Sequence, residues 1–123
     1  MERILKTNHF ARWMRKSGLT DAALCAAVAE MVAGLVDADL GGGVVKKRVG
    51  LPGRGKRGGA RTVVVTNRGD RWFFVVGFGK NERANIGIEE LDALKALAAD
   101  LLAYSEGDIA EAIARRALLE VPK

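Results

Sequence analysis

Eleven of the chain's twenty lysines and arginines lie between Lys46 and Arg83: Lys46, Lys47, Arg48, Arg54, Lys56, Arg57, Arg61, Arg68, Arg71, Lys80 and Arg83. Only Asp70 and Glu82 oppose them in that stretch. These side chains suit one kind of chemistry, contact with phosphate. Arginine keeps its charge and grips an oxyanion with two N–H groups, and lysine supplies a mobile point charge. Lys46 and Arg48 are two apart in an extended stretch and project from the same face. Lys47 projects the other way and reads as an edge or solvent charge. Arg61 opens the next β-branched run directly after Gly58-Gly59, where the missing side chains leave room for a backbone to approach. Lys80 and Arg83 follow the apolar run after that. If the runs pair as hairpin neighbours, all these cations converge on one end of a sheet.

The rest of the chain sharpens this contrast. Residues 1–45 hold five basic and five acidic side chains, and residues 84–123 hold four basic against eight acidic, so a modest net charge of +5 hides a central excess of nine. A lopsided field raises the local concentration of a polyanion, which makes a nucleic-acid backbone the expected target; the plain alternative is a solvated basic loop. Gly50–Lys56 fits the first seven positions of a P-loop, but Arg57 stands where the magnesium-binding hydroxyl belongs. Gly53–Gly58 fits the G-x-G-x-x-G pattern of dinucleotide sites. Both motifs need a helix next, to seat the phosphate on its N-terminus, and a β-branched run follows here.

No cofactor or metal is expected. His9 and Cys25 are the only histidine and cysteine, so no cluster of soft ligands exists and a two-histidine ribonuclease is excluded. His9 reads as a helix-start residue and Cys25 as a buried thiol. Glu89, Glu90 and Asp92 sit where acids favour a helix N-terminus. No apolar run reaches membrane-spanning length. With neither a leader pattern nor a disulfide framework, the cytoplasm is the expected compartment.

The elements that position the cations follow from periodicity. At 123 residues, 1–123 reads as one domain. Arg3–Thr7 reads as an edge strand. A helix capped by Thr7 or Asn8 runs through Lys16, with Phe10, Trp13 and Met14 at helical spacing, and Ser17-Gly18 ends it. Thr20 caps a second helix whose stripe is Leu24, Val28, Met31, Val32 and Leu35, with Leu19 and Leu24 as a hydrophobic staple. Val44–Val49 reads as a strand, Gly50–Gly59 as a cationic loop, Ala60–Thr66 as a strand, Asn67–Asp70 as a turn and Arg71–Phe78 as a strand covered on both faces. A helix spans Glu89–Tyr104, and Ser105 with Asp108 forms a capping box for a last one. The fold class is α+β: a small, mostly antiparallel β-sheet packed by helices.

Three segments carry a resemblance to a known family. Lys46-Lys47-Arg48, the strand entry Gly55-Lys56-Arg57-Gly58-Gly59-Ala60-Arg61, and Gly77-Phe78-Gly79-Lys80-Asn81-Glu82-Arg83-Ala84-Asn85-Ile86 together resemble the RelE/HigB toxins of bacterial type II toxin–antitoxin systems, most closely the HigB-like branch. The order of helices and strands matches over most of the chain, so a RelE-like fold is implied. The resemblance implies an mRNA interferase, an endoribonuclease that cuts mRNA on the ribosome without metal and so inhibits translation. By the same resemblance Lys46, Arg48, Arg61, Lys80 and Arg83 are the catalytic candidates, and Lys47, Arg54, Lys56 and Arg57 are RNA-facing cations. It also implies a cognate antitoxin of helix-turn-helix type, with the pair binding operator DNA. A gyrase-poisoning ParE-like toxin and a non-catalytic basic RNA-binding protein are the alternatives. Many relatives carry a tyrosine shortly after the basic loop; Gly87 stands there, which leaves the general base unassigned, with Lys46 preferred.

Overall fold

The computed structural model of the chain describes residues 2–51, 53, 55–83 and 85–123, with residues 55–58 described by their backbone alone. In chain order the elements are β1 (Arg3–Thr7), α1 (Asn8–Ser17), α2 (Asp21–Val32), β2 (Ala38–Gly41), β3 (Val44–Leu51), β4 (Gly55–Thr66), β5 (Arg71–Gly79), α3 (Ile88–Leu102), α4 (Glu106–Ala114) and β6 (Leu118–Glu120). The strands form a six-stranded sheet in the order β2-β3-β4-β5-β1-β6. All neighbours are antiparallel except β1 and β5, which run parallel with Ile4 opposite Trp72 and Leu5 opposite Phe73. The α+β class, a mostly antiparallel sheet packed by helices, is the one the sequence implies.

Helix boundaries follow local chemistry. The Thr7 hydroxyl accepts from the Phe10 N–H and the Thr20 hydroxyl from the Ala23 N–H, each filling an orphan donor of the first turn. Gly18 ends α1 in the left-handed region at φ 81°, which favours glycine. In α4 the capping box is complete: the Ser105 hydroxyl accepts from the Asp108 N–H, and the Asp108 carboxylate accepts from the Ser105 N–H.

The sheet separates two apolar layers. On one face α1 and α2 press Phe10, Met14, Leu24, Val28 and Met31 against Ile4, Val45, Val49, Val64, Trp72 and Phe74. On the other, α3 and α4 bring Leu94, Ala98, Leu101, Ile109 and Ala112 onto Leu5, Val44, Val63, Val65, Phe73 and Val75. This double cover explains the unbroken apolar run in β5, where Trp72, Phe73 and Phe74 are all fully buried. Burying each such side chain contributes about 1.5–3 kcal/mol. At the far edge Arg3 binds Glu120 and Glu106, and Arg71 binds Glu106 and the Tyr104 carbonyl, tying β1, β5 and β6 to α4.

Several sequence expectations are corrected. β1 is not at the edge, because β6 pairs along its outer side. The cationic loop is much shorter than Gly50–Gly59: Leu51 pairs with Gly55, leaving only residues 52–54 between β3 and β4. Glycines carry no side chain to obstruct an extended ladder, so the strand runs through them. α2 stops at Val32, before Gly34 at φ 97°, so Leu35 lies outside the helix and both Val32 and Leu35 are exposed. Tyr104 falls in the α3–α4 connection, since α3 ends at Leu102. Cys25 is only half-buried, its Sγ 3.4 Å from the Pro122 carbonyl.

Candidate phosphate-binding site

The site is built on the α3 side of the sheet, where β3, β4 and β5 extend beyond the helix that covers their other ends. Register fixes its layout. Arg48 of β3 faces Arg61 of β4, and Arg61 in turn faces Phe78 of β5. Lys46 lies two residues before Arg48 on the same face. These residues, with Asp37, Lys47 and Thr62, line a cleft of about 360 Å³. Phe78 is buried and forms an apolar floor.

Asp37 shapes the cleft through the backbone. Its carboxylate accepts from the Arg48 N–H at 2.6 Å, and its own N–H donates to the Lys46 carbonyl at 3.0 Å. Among the described residues, neither the Arg48 nor the Arg61 guanidinium has a carboxylate or hydrogen-bond partner. Like charges directly opposite each other on neighbouring strands destabilise a sheet. A bound polyanion would turn that repulsion into attraction.

The segment after β5 runs beside the cleft and is tied down at three points. The Glu82 carboxylate accepts from the Gly79 N–H at 2.6 Å and the Trp13 indole N–H at 3.1 Å, fastening the segment to α1. These two donors, Gly79 first, hold the Glu82 carboxyl below its ordinary value. The Arg83 guanidinium lies 4.7 Å from the Phe78 ring centroid and grips Glu90 of α3 with bonds of 2.7 and 3.0 Å. Asn85 Oδ1 accepts from Lys46 Nζ at 3.0 Å and from the Ile86 N–H at 2.9 Å. Gly77 permits the α1 anchor: a Cβ there would stand 2.3 Å from the Trp13 ring.

The candidate residues therefore separate. Lys46, Arg48 and Arg61 share the cleft, and Arg83 roofs its floor while bound to Glu90. Lys80 is exposed and lines a different hollow of about 400 Å³ beside Trp13, Leu51, Ala60 and Asn81, on the α1 side of the sheet. Lys47 is corrected in one respect: it projects away from Lys46 and Arg48 as expected, but it is a buried residue rather than an edge or solvent charge. At 4% exposure, its Nζ lies 2.8 Å from Glu30 and donates to the Leu35 carbonyl at 2.9 Å. The double cover of the sheet puts α2 over that face. Arg54 lies outside the described residues, as do the side chains of Lys56 and Arg57.

Charge and spacing alone assign no site role to Phe78, Asn85, Glu90, Glu82 or Trp13. Glu90 lies in the first turn of α3, as its place among the helix-start acids implies. Its pairing with Arg83 depends on how the intervening segment folds back. Only the i, i+7 spacing of opposite charges hinted at it.

No helix among the described residues is long and apolar enough to cross a membrane. A family model described as "RelE toxin of RelE / RelB toxin-antitoxin system" matches residues 2–121. No curated protein matches the sequence.

Proposed function

Because the chain belongs to the RelE family, the toxin component of a toxin–antitoxin system with an antitoxin as its partner, we propose that it is an mRNA endonuclease acting on the ribosome, with the Lys46–Arg48–Arg61 cleft as its active site. The observation that carries this reading is the register pair Arg48 and Arg61, whose guanidiniums have no carboxylate partner among the described residues, beside the Lys46 amine. That arrangement suits a phosphate whose charge rises during reaction.

RNA brings its own nucleophile. The 2′-oxygen attacks phosphorus as the P–O5′ bond breaks, giving a 2′,3′-cyclic phosphate and a 5′-hydroxyl. One proton must leave the 2′-hydroxyl and one must reach the 5′-oxygen. Arg48 and Arg61 stabilise the crowded phosphorane charge, and Lys46 is the titratable group at hand for proton transfer. In this reading the chemistry needs no metal. Alignment of the 2′-oxygen with phosphorus is a large part of the barrier, and mRNA held on the ribosome arrives already constrained. Arg83 serves the site by holding Phe78 and α3 together, and Lys80 contacts RNA or rRNA outside the cleft. Lys56 and Arg57 are further RNA-facing candidates at the tip of the β3–β4 arm. The reading places the toxin in the cytoplasm, with a helix-turn-helix antitoxin that carries the pair to operator DNA.

The test is cleavage of a translated mRNA by purified protein with and without ribosomes. New 5′ ends should appear only with ribosomes, and Arg61→Ala should abolish them without lowering the melting temperature. Intact mRNA in the complete reaction would overturn the proposal. Gyrase-dependent DNA breaks would instead indicate a topoisomerase poison, and RNA binding without new 5′ ends a non-catalytic binder.

A further inference from the structure

Lys46 is a flexible side chain on an open strand face, yet proton transfer needs its nitrogen at a fixed point. One described contact addresses its amine, the 3.0 Å bond to Asn85 Oδ1. Asn85 is itself fixed. The same oxygen accepts from the Ile86 N–H at 2.9 Å, so the backbone dictates which end of the amide faces Lys46. Upstream, Arg83 is clamped between Glu90 and the Phe78 ring, and Glu82 is fastened to Gly79 and Trp13. Downstream, Ile86 packs against the α3-side core. An acceptor without charge adds no second carboxylate to a cleft that already holds Asp37, whereas an aspartate at position 85 would further oppose a polyanion.

We propose that Asn85 is a positioning residue for the reaction, holding Lys46 Nζ over the Arg48–Arg61 pair through a carbonyl oxygen set by the Ile86 backbone. This inference rests on the reading of the cleft as an mRNA cleavage site. Asn85 touches no reacting atom, and its whole effect passes through Lys46.

The test is a double-mutant cycle in the ribosome-dependent assay, paired with a measurement independent of cleavage. Asn85→Ala should lower the single-turnover rate about tenfold to hundredfold, as expected when a charge-assisted hydrogen bond that orients a reacting group is lost. Binding of a 2′-O-methyl RNA that cannot be cut should stay unchanged. In a Lys46→Ala background, adding Asn85→Ala should cost nothing more. Asn85→Asp, which keeps the acceptor, should recover Lys46 placement but weaken RNA binding through its charge. Separately, an amine-acylating reagent read by mass spectrometry should label Lys46 faster in Asn85→Ala than in the wild type, with the other lysines unchanged. Equal labelling of Lys46 would overturn the inference, as would an undiminished Asn85 effect in the Lys46→Ala background. Either result leaves the endonuclease reading standing if Arg61→Ala remains inactive. Absence of cleavage by the wild type, with Lys46 still protected, would instead overturn the endonuclease reading, and with it the catalytic role of Asn85.

Discussion

Arg48 and Arg61 are register partners on adjacent antiparallel strands, two cationic residues directly opposite each other with Phe78 as the next residue in the row. The pair costs the resting fold stability. Arg48→Glu would place a carboxylate opposite Arg61 and is expected to raise stability by about 0.2–1 kcal/mol, the usual worth of a favourable cross-strand charge pair. The same change should abolish RNA cleavage. Urea unfolding alongside the cleavage assay checks both halves, and a variant that is both less stable and still active would contradict the assignment.

Lys47 should behave oppositely to its neighbours. It is buried on the α2 side, bonded to Glu30 and the Leu35 carbonyl. Lys47→Ala is expected to cost about 1–3 kcal/mol in equilibrium unfolding, the penalty for breaking buried polar contacts. Cleavage per folded molecule should remain near wild type. A large loss of activity at unchanged stability would mean that Lys47 meets RNA after all.

Gly77 is expected to tolerate no side chain. A Cβ would collide with the Trp13 ring at 2.3 Å, so Gly77→Ala should destabilise by about 1–3 kcal/mol, as overpacking generally does. Moving Trp13 also removes the indole donor to Glu82. The variant should therefore show altered Trp13 fluorescence and weakened cleavage together, while fully buried Trp72 supplies a constant background.

The Glu82 anchor carries a pH signature. The Gly79 N–H, then the Trp13 indole, hold its carboxyl below the ordinary 4.5. A depressed folded-state value means the stabilisation is fully present above 4.5 and is lost as pH falls through the depressed value. Glu82→Gln should remove this dependence, so the stability gap between wild type and variant narrows on acidification. Melting temperatures across that range check the sign, and a gap that widens in acid would refute it.

The parts legible in the sequence were those with local causes. The Thr7, Thr20 and Ser105 caps, the double-sided burial of β5, and the shared face of Lys46 and Arg48 all follow from spacing within a few residues. What escaped has non-local causes. β2 and β6 are four and three residues long and exist because β3 and β1 offer unpaired backbone edges. The fate of Lys47 depended on which sheet face α2 covers, which alternation alone does not reveal. The cleft was half legible: its cations stood out by charge, whereas Asn85, Glu90 and Phe78 join them only through the return of the segment after β5.

The position of β1 bears on how the protein comes into being. It lies between β5 and β6, pairing parallel with one and antiparallel with the other, so β1 has no partner strand until residues 71–74 have been made. Such long-range closure is slow and comes late. The sheet is unfinished while the chain is still being translated, and its last strand forms only after residues 118–120 have emerged. A toxin assembled in this order still has an unfinished sheet on the ribosome that makes it, and its antitoxin partner can meet it in that state.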